Sequence, residues 1–356
     1  MINRCHNKHG FAHGFTLVEL LVAMAIVGLL TAIALVGMAG VTENARGDRT
    51  RAQIARIHSL IAPRWAELHE RRMKMSLGNF KYSGGGRDLV RVRLEARREL
   101  LRMAMPDRKS DLVDQNTVFP TNQPTGDWRS LRRKAVRLIS NQKGIGTPRP
   151  EGISQFLQVN WTERNQGAEC LYLLLSVTVD GERSALEFFR EDEVGDEDDD
   201  GIPEIHDAWG QPIHFLRWAP GFVAAGSYQT TEKPDAADPL GIDAQFGTFQ
   251  LFPLIVSAGP DKKLDIRLDF GTNQSEWLRY REPYNLPGRP FPARNYPYRN
   301  VDPTIPINAP SQRLIGGFAD DELSSDGRNY QGGPNVTNAV DDSVDNIHNH
   351  LISTGR

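Results

Sequence analysis

The chain has 356 residues, 39% hydrophobic and 24% charged, with a formal net charge of −3. That length suffices for one large or two small domains with a buried core, and the near-balanced charge gives no electrostatic case for binding nucleic acid. Two cysteines, Cys5 and Cys170, exclude a disulfide-dense scaffold.

The chain opens on a short polar leader, residues 1–14, carrying Arg4 and Lys8. An apolar run follows from Phe15 to Val41, broken by one acid, Glu19. About 27 residues at 1.5 Å each give roughly 40 Å of helix, more than the roughly 30 Å of a bilayer hydrocarbon core. The sequence therefore predicts a membrane helix. The leader's cations favour keeping the N-terminus in the cytoplasm and sending the rest across, although Arg46, Arg49 and Arg51 oppose that bias. A secretory signal with its cut near Gly37 or Ala39 is the alternative. It accounts neither for so long an apolar run nor for Glu19.

A carboxylate at membrane depth is costly and calls for a partner. Cutting after Gly14 creates an ammonium on Phe15, one helical turn from Glu19, which neutralises it within one chain or between stacked neighbours. At Gly14 to Val22, GFTLVELLV, the chain resembles the class III leader of type IV prepilins and type II secretion pseudopilins, a resemblance extending to about Leu35. It implies a prepilin peptidase that cuts after Gly14 and methylates the Phe15 amine. It also implies assembly of the helices, through Glu19, into a filament with other pilin-like subunits. An uncleaved single-pass anchor whose Glu19 snorkels to the interface is the bland alternative. Removal of the leader takes Arg4, Lys8 and Cys5 away, leaving a net charge of −5 and Cys170 alone in the exported head. The stability of that head must come from packing, with metal as a further candidate.

Beyond Thr50, Ile54, Ile57, Ile61, Trp65 and Leu68 recur at helical spacing between polar residues, predicting an amphipathic helix on a globular head. Pro63 is expected to kink or end it. Ser83 to Gly86 reads as a flexible break, followed by a basic helix from Asp88 to Met105, a second from Ser130 to Ile139 and a third beginning near Ala168. The arginines of the first two are expected on solvated faces; contact with acidic lipid or an acidic neighbour is the alternative. Strand-like runs at Ile213 to Trp218 and Phe249 to Val256 suggest a small antiparallel sheet. From Pro283 to Pro310 the composition reads as irregular.

In DEDDDGIPEIHD, Asp196, Asp198, Asp200, Glu204 and Asp207 occupy places 1, 3, 5, 9 and 12, with Gly201 at 6 and the Ile202 carbonyl at 7. Hard oxygen ligands at that spacing match a calcium loop of EF-hand or dockerin type. The twelfth ligand is Asp rather than Glu, and Pro203 and its flanks do not supply two helices, so calcium is expected without an EF-hand. A solvated acidic loop is the alternative. DAWGQP at Asp207 to Pro212 and SAGPD at Ser257 to Asp261 resemble segments of the major pseudopilin of type II secretion systems, where the second leads into a calcium loop. Asp261 and the C-terminal Asp341, Asp342, Asp345 and Asn346 are weaker candidates for a second metal site.

No nucleophile elbow, zinc-protease helix or phosphate loop is present; His206 and His214 read equally as a turn and a strand residue or as ligands, and Cys170 as a buried hydrophobe. The expectation is an α+β, pilin-like protein without enzymatic activity. Its segments are a leader (1–14), a transmembrane helix (15–41), its amphipathic continuation (42–80), a head of extra helices and a small sheet (81–282), and a Pro/Asn-rich insertion with tail (283–356). The resemblance places it in the inner membrane, N-terminus cytoplasmic and head periplasmic or outside, as a filament subunit. The alternative is a membrane-tethered, non-polymerising calcium-binding or adhesion module.

Overall fold

The computed structural model describes residues 16–70, 86–113, 126–219, 227–230, 249–264 and 346–351, together with 222, 233–235, 238, 241, 266 and 268. The chain divides into two compact units, Met1–Arg46 and Gly47–Arg356. It is α+β, with a long N-terminal helix, further helices and small antiparallel sheets.

The first unit holds the start of α1 (Leu17–Glu70). Thr16 caps this helix by accepting from the Glu19 amide at 3.2 Å, while the Glu19 carboxylate accepts from the Thr16 amide at 2.8 Å, a reciprocal capping box. Large apolar side chains follow on every face and stay exposed, from Leu17 to Val41. The Thr31 hydroxyl donates back to the Val27 carbonyl, so this polar group needs no water. Among the described residues no helix is long and apolar enough to cross a membrane. The unbroken stretch of described side chains stops at Ile33, about 25 Å from Leu17, and those of Ala34, Val36, Gly37 and Ala39 lie outside the described set.

In the second unit, α1 buries the stripe read from its spacing: Ile54, Ile57, Ile61, Trp65 and Leu68 are all in the core. Pro63 does not end the helix, which runs on to Glu70. Burial of Ile61 and Trp65 on either side provides the tertiary packing that offsets the roughly 3 kcal/mol of an interior proline.

Among the described residues five more helices follow: α2 (Gly86–Ala104), α3 (Lys109–Val113), α4 (Gly126–Lys143), α5 (Ile153–Asn160) and α6 (Gln166–Val177). α6 is the central one. Leu171, Leu173, Leu174 and Leu175 are fully buried around its circumference, as an all-round apolar helix must be. Cys170 is buried with them, matching its reading as a small hydrophobe, and burial pushes its thiol well up. α6 packs on α4 and on two short strands, β4 (Glu204–Ile205) and β5 (His214–Leu216).

The sheets are small. β1 (Val179–Asp180) pairs with β2 (Arg183–Ser184), and β3 (Val194–Gly195) with β4 in register Gly195 to Glu204. β5 pairs antiparallel with β6 (Leu254–Ser257), and β6 with β7 (Ile347–His348). The chain thus returns near its C-terminus to complete a three-stranded sheet.

The arginine faces meet the expectation in part, with Arg93, Arg129, Arg133 and Arg137 exposed. Arg98, Arg102 and Arg132 are buried. Arg98 lies 3.3 Å from Asp235, and Arg102 lies 3.5 Å from Asp111. Nearby, Arg217 pairs with Asp111 at 2.8 Å and with Asp107 at 3.2 Å. Burial alone would raise the Asp107 carboxyl, but Arg108 and Arg217 outweigh it and hold it at about 2. Acids distant in sequence meet Arg98 and Arg217 inside, while Arg132 stacks on the Trp128 ring and donates to Ser154 Oγ at 2.8 Å. Periodicity cannot show them.

Candidate functional site

The acidic run Asp196 to Asp200 forms the connection between β3 and β4, so the local frame is a hairpin rather than a helix pair. The loop builds itself from its own carboxylates. Asp196 accepts from the amides of Asp200 and Gly201 at 3.2 and 2.9 Å, and Asp200 accepts from the Ile202 amide at 3.0 Å. Gly201 has φ +106°, and a Cβ there would lie 2.8 Å from the Ile139 Cα of α4, so only glycine fits. Ile202 is fully buried beneath the loop. Glu204, also buried, accepts from Asn165 Nδ2 at 2.9 Å and from the Glu197 amide at 3.1 Å; burial nevertheless raises its carboxyl to about 7.

Asp207 is used differently from the other members of the spaced set. Its Oδ1 accepts from the amides of Trp209 and Gln211 at 2.8 and 2.9 Å, closing the turn at Gly210, where φ is +80°. Its Oδ2 accepts from the Ser257 hydroxyl at 2.6 Å. The DAWGQP and SAGPD segments therefore meet through one bond. Asp207 secures that junction.

The carboxylates that do converge are Asp198, Asp200 and a residue outside the loop, Glu169 on the first turn of α6; one oxygen of each lies within 4.8 Å of the others. Glu169 Oε2 accepts from the Trp161 indole at 2.6 Å. Asp200 Oδ2 accepts from the Thr162 amide at 2.6 Å, and the Thr162 hydroxyl bonds Asp198 Oδ2. Glu169 Oε1 and Asp198 Oδ1 are buried without hydrogen-bond partners. Burial first, then the charge of Asp200, raises the Glu169 carboxyl to about 10. As carboxylates Glu169 and Asp200 only repel; a proton on Glu169 turns the contact into a hydrogen bond.

Elsewhere, Asp261 is exposed and accepts from the Lys263 amide at 2.8 Å, while Asn346 Nδ2 donates to the Leu264 carbonyl at 2.5 Å. Asp341, Asp342 and Asp345 lie outside the described residues, as do Gly14 and Phe15. His206 bridges to Pro212 beside the Gly210 turn, and His214 stands in β5.

Glu19 is exposed on the first turn of α1, the lone acid among Leu17, Val18, Leu20, Leu21 and Val22. Both Thr16 donors, amide and hydroxyl, bond its Oε2, at 2.8 and 2.9 Å. The cap therefore holds the carboxylate through Oε2. Residues 7–35 match the prokaryotic N-terminal methylation motif. The chain carries a prepilin-type N-terminus. That motif is the mark of type IV pilin-like and pseudopilin-like prepilins, and it implies processing by prepilin peptidase, assembly with pilin-like subunits and a membrane-anchored N-terminus. No curated protein and no solved structure matches the chain.

Sequence reasoning did not find Glu169. The available signal was an acid inside the apolar run AECLYLLLSV, the same signal that singles out Glu19.

Proposed function

We propose that this prepilin-like chain is a structural subunit of a type II secretion pseudopilus or type IV pilus-like filament. Prepilin peptidase cuts after Gly14, and a single helix from Phe15 to Val41 holds the subunit in the inner membrane. The N-terminus faces the cytoplasm, and the head lies in the periplasm or in an extracellular filament. The observation that carries this reading is one exposed carboxylate, Glu19, in an otherwise apolar and exposed helical surface within the matched motif. In lipid an unpaired carboxylate is costly, and the Phe15 ammonium of a neighbouring subunit is a compact cation able to reach it. Pairing releases that penalty while the apolar faces pack against one another. The role assigned is structural, with no catalytic step.

Two measurements test this. Mass spectrometry of the protein from native membranes should give a mature chain beginning at methylated Phe15; an intact Met1, or a start near Ala39, overturns the proposal. Replacing Glu19 with Ala should leave cleavage and membrane insertion intact and remove the subunit from the sheared filament fraction. Normal incorporation of that variant would instead favour a tethered, non-polymerising module.

A further inference from the structure

We propose that Glu169, Asp198 and Asp200 form a calcium site that fastens the first turn of α6 to the β3–β4 loop. Glu169 is fully buried, and its Oε1 meets no donor; Asp198 Oδ1 is buried and unpartnered as well. Among the described residues no Lys, Arg or His forms an ion pair with any of the three carboxylates. Lys109, which feels the charges of Asp200 and Glu169, directs its Nζ at the carbonyls of Gln158 and Trp161 instead. Desolvated acids brought this close demand a cation or a proton, since repulsion and lost hydration otherwise go uncompensated.

The surroundings favour a cation. Glu169 and Asp198 are each held by the other oxygen, through Trp161 Nε1 and the Thr162 hydroxyl, and Asp200 is held at both, Oδ2 by the Thr162 amide and Oδ1 by the Ile202 amide. Such outer contacts orient ligands around a metal. The donors are oxygen without imidazole or thiolate, which selects a hard ion. Calcium tolerates an irregular oxygen shell completed by carbonyls and water, whereas magnesium requires a near-octahedral one. This set differs from the consecutive loop of Asp196 to Asp207, because Asp207 is engaged at the junction with Ser257. The site serves the head alone, independently of filament assembly.

The test uses the full chain in detergent, with calcium as the titrant in calorimetry and terbium as a luminescent surrogate excited through tryptophan. Wild type should bind calcium saturably with a Kd of about 1 mM or tighter, the range of extracellular modules. Trp161, bonded to Glu169, should sensitise bound terbium, and calcium should displace it. Glu169→Gln keeps an acceptor for the Trp161 indole and should weaken calcium binding at least tenfold. Asp207→Asn keeps the Oδ1 acceptor of the turn and should bind within twofold of wild type. If circular dichroism shows Glu169→Gln unfolded, Asp198→Asn carries the same expectation. The proposal is overturned if wild type shows no saturable binding below about 10 mM, if Glu169→Gln or its substitute binds like wild type, if magnesium competes equally, or if Asp207→Asn alone abolishes binding.

Discussion

Glu19 and Glu169 present the same local problem in two regions of the molecule. Each is an acid on the first turn of a helix whose neighbours are apolar. Around Glu19 those neighbours face outward, with Leu17 79% and Leu21 61% exposed; around Glu169 they are fully inside, as Leu171 and Leu173 show. Apolar helical sequence therefore has two fates, set by whether the rest of the chain supplies a covering surface. α6 finds one in α4, β4 and β5. The start of α1 presents its apolar surface outward and suits lipid or other subunits. The counter-charges proposed above follow the same division: an amine from another chain for Glu19, and a small ion within the head for Glu169.

The largest expected effect separates the two regions completely. Glu19→Ala should reduce the filament-associated fraction to background, measured by shearing and immunoblotting, with no change in the melting temperature of the head. A parallel fall in melting temperature would mean that the first turn of α1 contributes to the head's stability, and the division would fail.

Next in size are substitutions in the head's buried ion network. Asp107→Ala leaves Arg108 buried without its main counter-charge and takes from Arg217 one of its two acids, and should cost about 3–5 kcal/mol in urea unfolding. A cost below about 1 kcal/mol would show that water reaches these guanidinium groups. The same residue sets an acid limit. Its folded carboxyl sits at about 2, below the ordinary 3.8, so its contribution is fully present above about pH 4 and is lost as pH falls towards 2. Wild type should lose stability across that window, and Asp107→Asn should flatten that part of the profile.

Trp161→Phe tests the support of Glu169 from the other side. It deletes the indole donor at 2.6 Å and leaves a buried oxygen unsatisfied, an expected loss of about 1–3 kcal/mol by thermal unfolding without calcium. No loss would mean that Glu169 Oε2 finds another donor once the indole is gone.

What could be read from sequence follows the range of the interaction. The stripe Ile54 to Leu68, the bodies of α2 and α6, and the strands β5 and β6 announce themselves by periodicity over a few residues. Gly14, Phe15 and Glu19 form a contiguous motif. The short α3 and the two-residue β7 have no period to detect, and β7 exists because β6 offers it an edge. Non-local pairs are hidden for the same reason: Arg217 reaches Asp107 across 110 positions, and Glu169 meets a loop some thirty residues further on. Spacing alone groups Asp207 with the acids of the loop, whereas in the fold the turn at Gly210 engages Asp207 and it is Glu169 that converges on Asp198 and Asp200.

The smallest effect lies near the start of the second unit. Arg49 on α1 donates to Glu193 at 2.8 and 3.2 Å and to Asp192 at 3.2 Å. Its side chain is 37% exposed, so solvent screens the pair although Glu193 itself is 7% exposed. Exposed pairs contribute about 0–1 kcal/mol, and this one has two acids and a forked contact, which places Arg49→Gln near the upper end. The loss should shrink in 1 M salt, where the screening length is about 3 Å. A larger and salt-independent cost would show that Arg49 acts by packing its stem on the segment before β3, extending the buried stripe of α1 by another turn. An unmeasurable cost would make Thr50, whose hydroxyl accepts from the Ala208 amide at 3.1 Å, and then Gln53 and Ile54 the first residues of α1 that hold the head together.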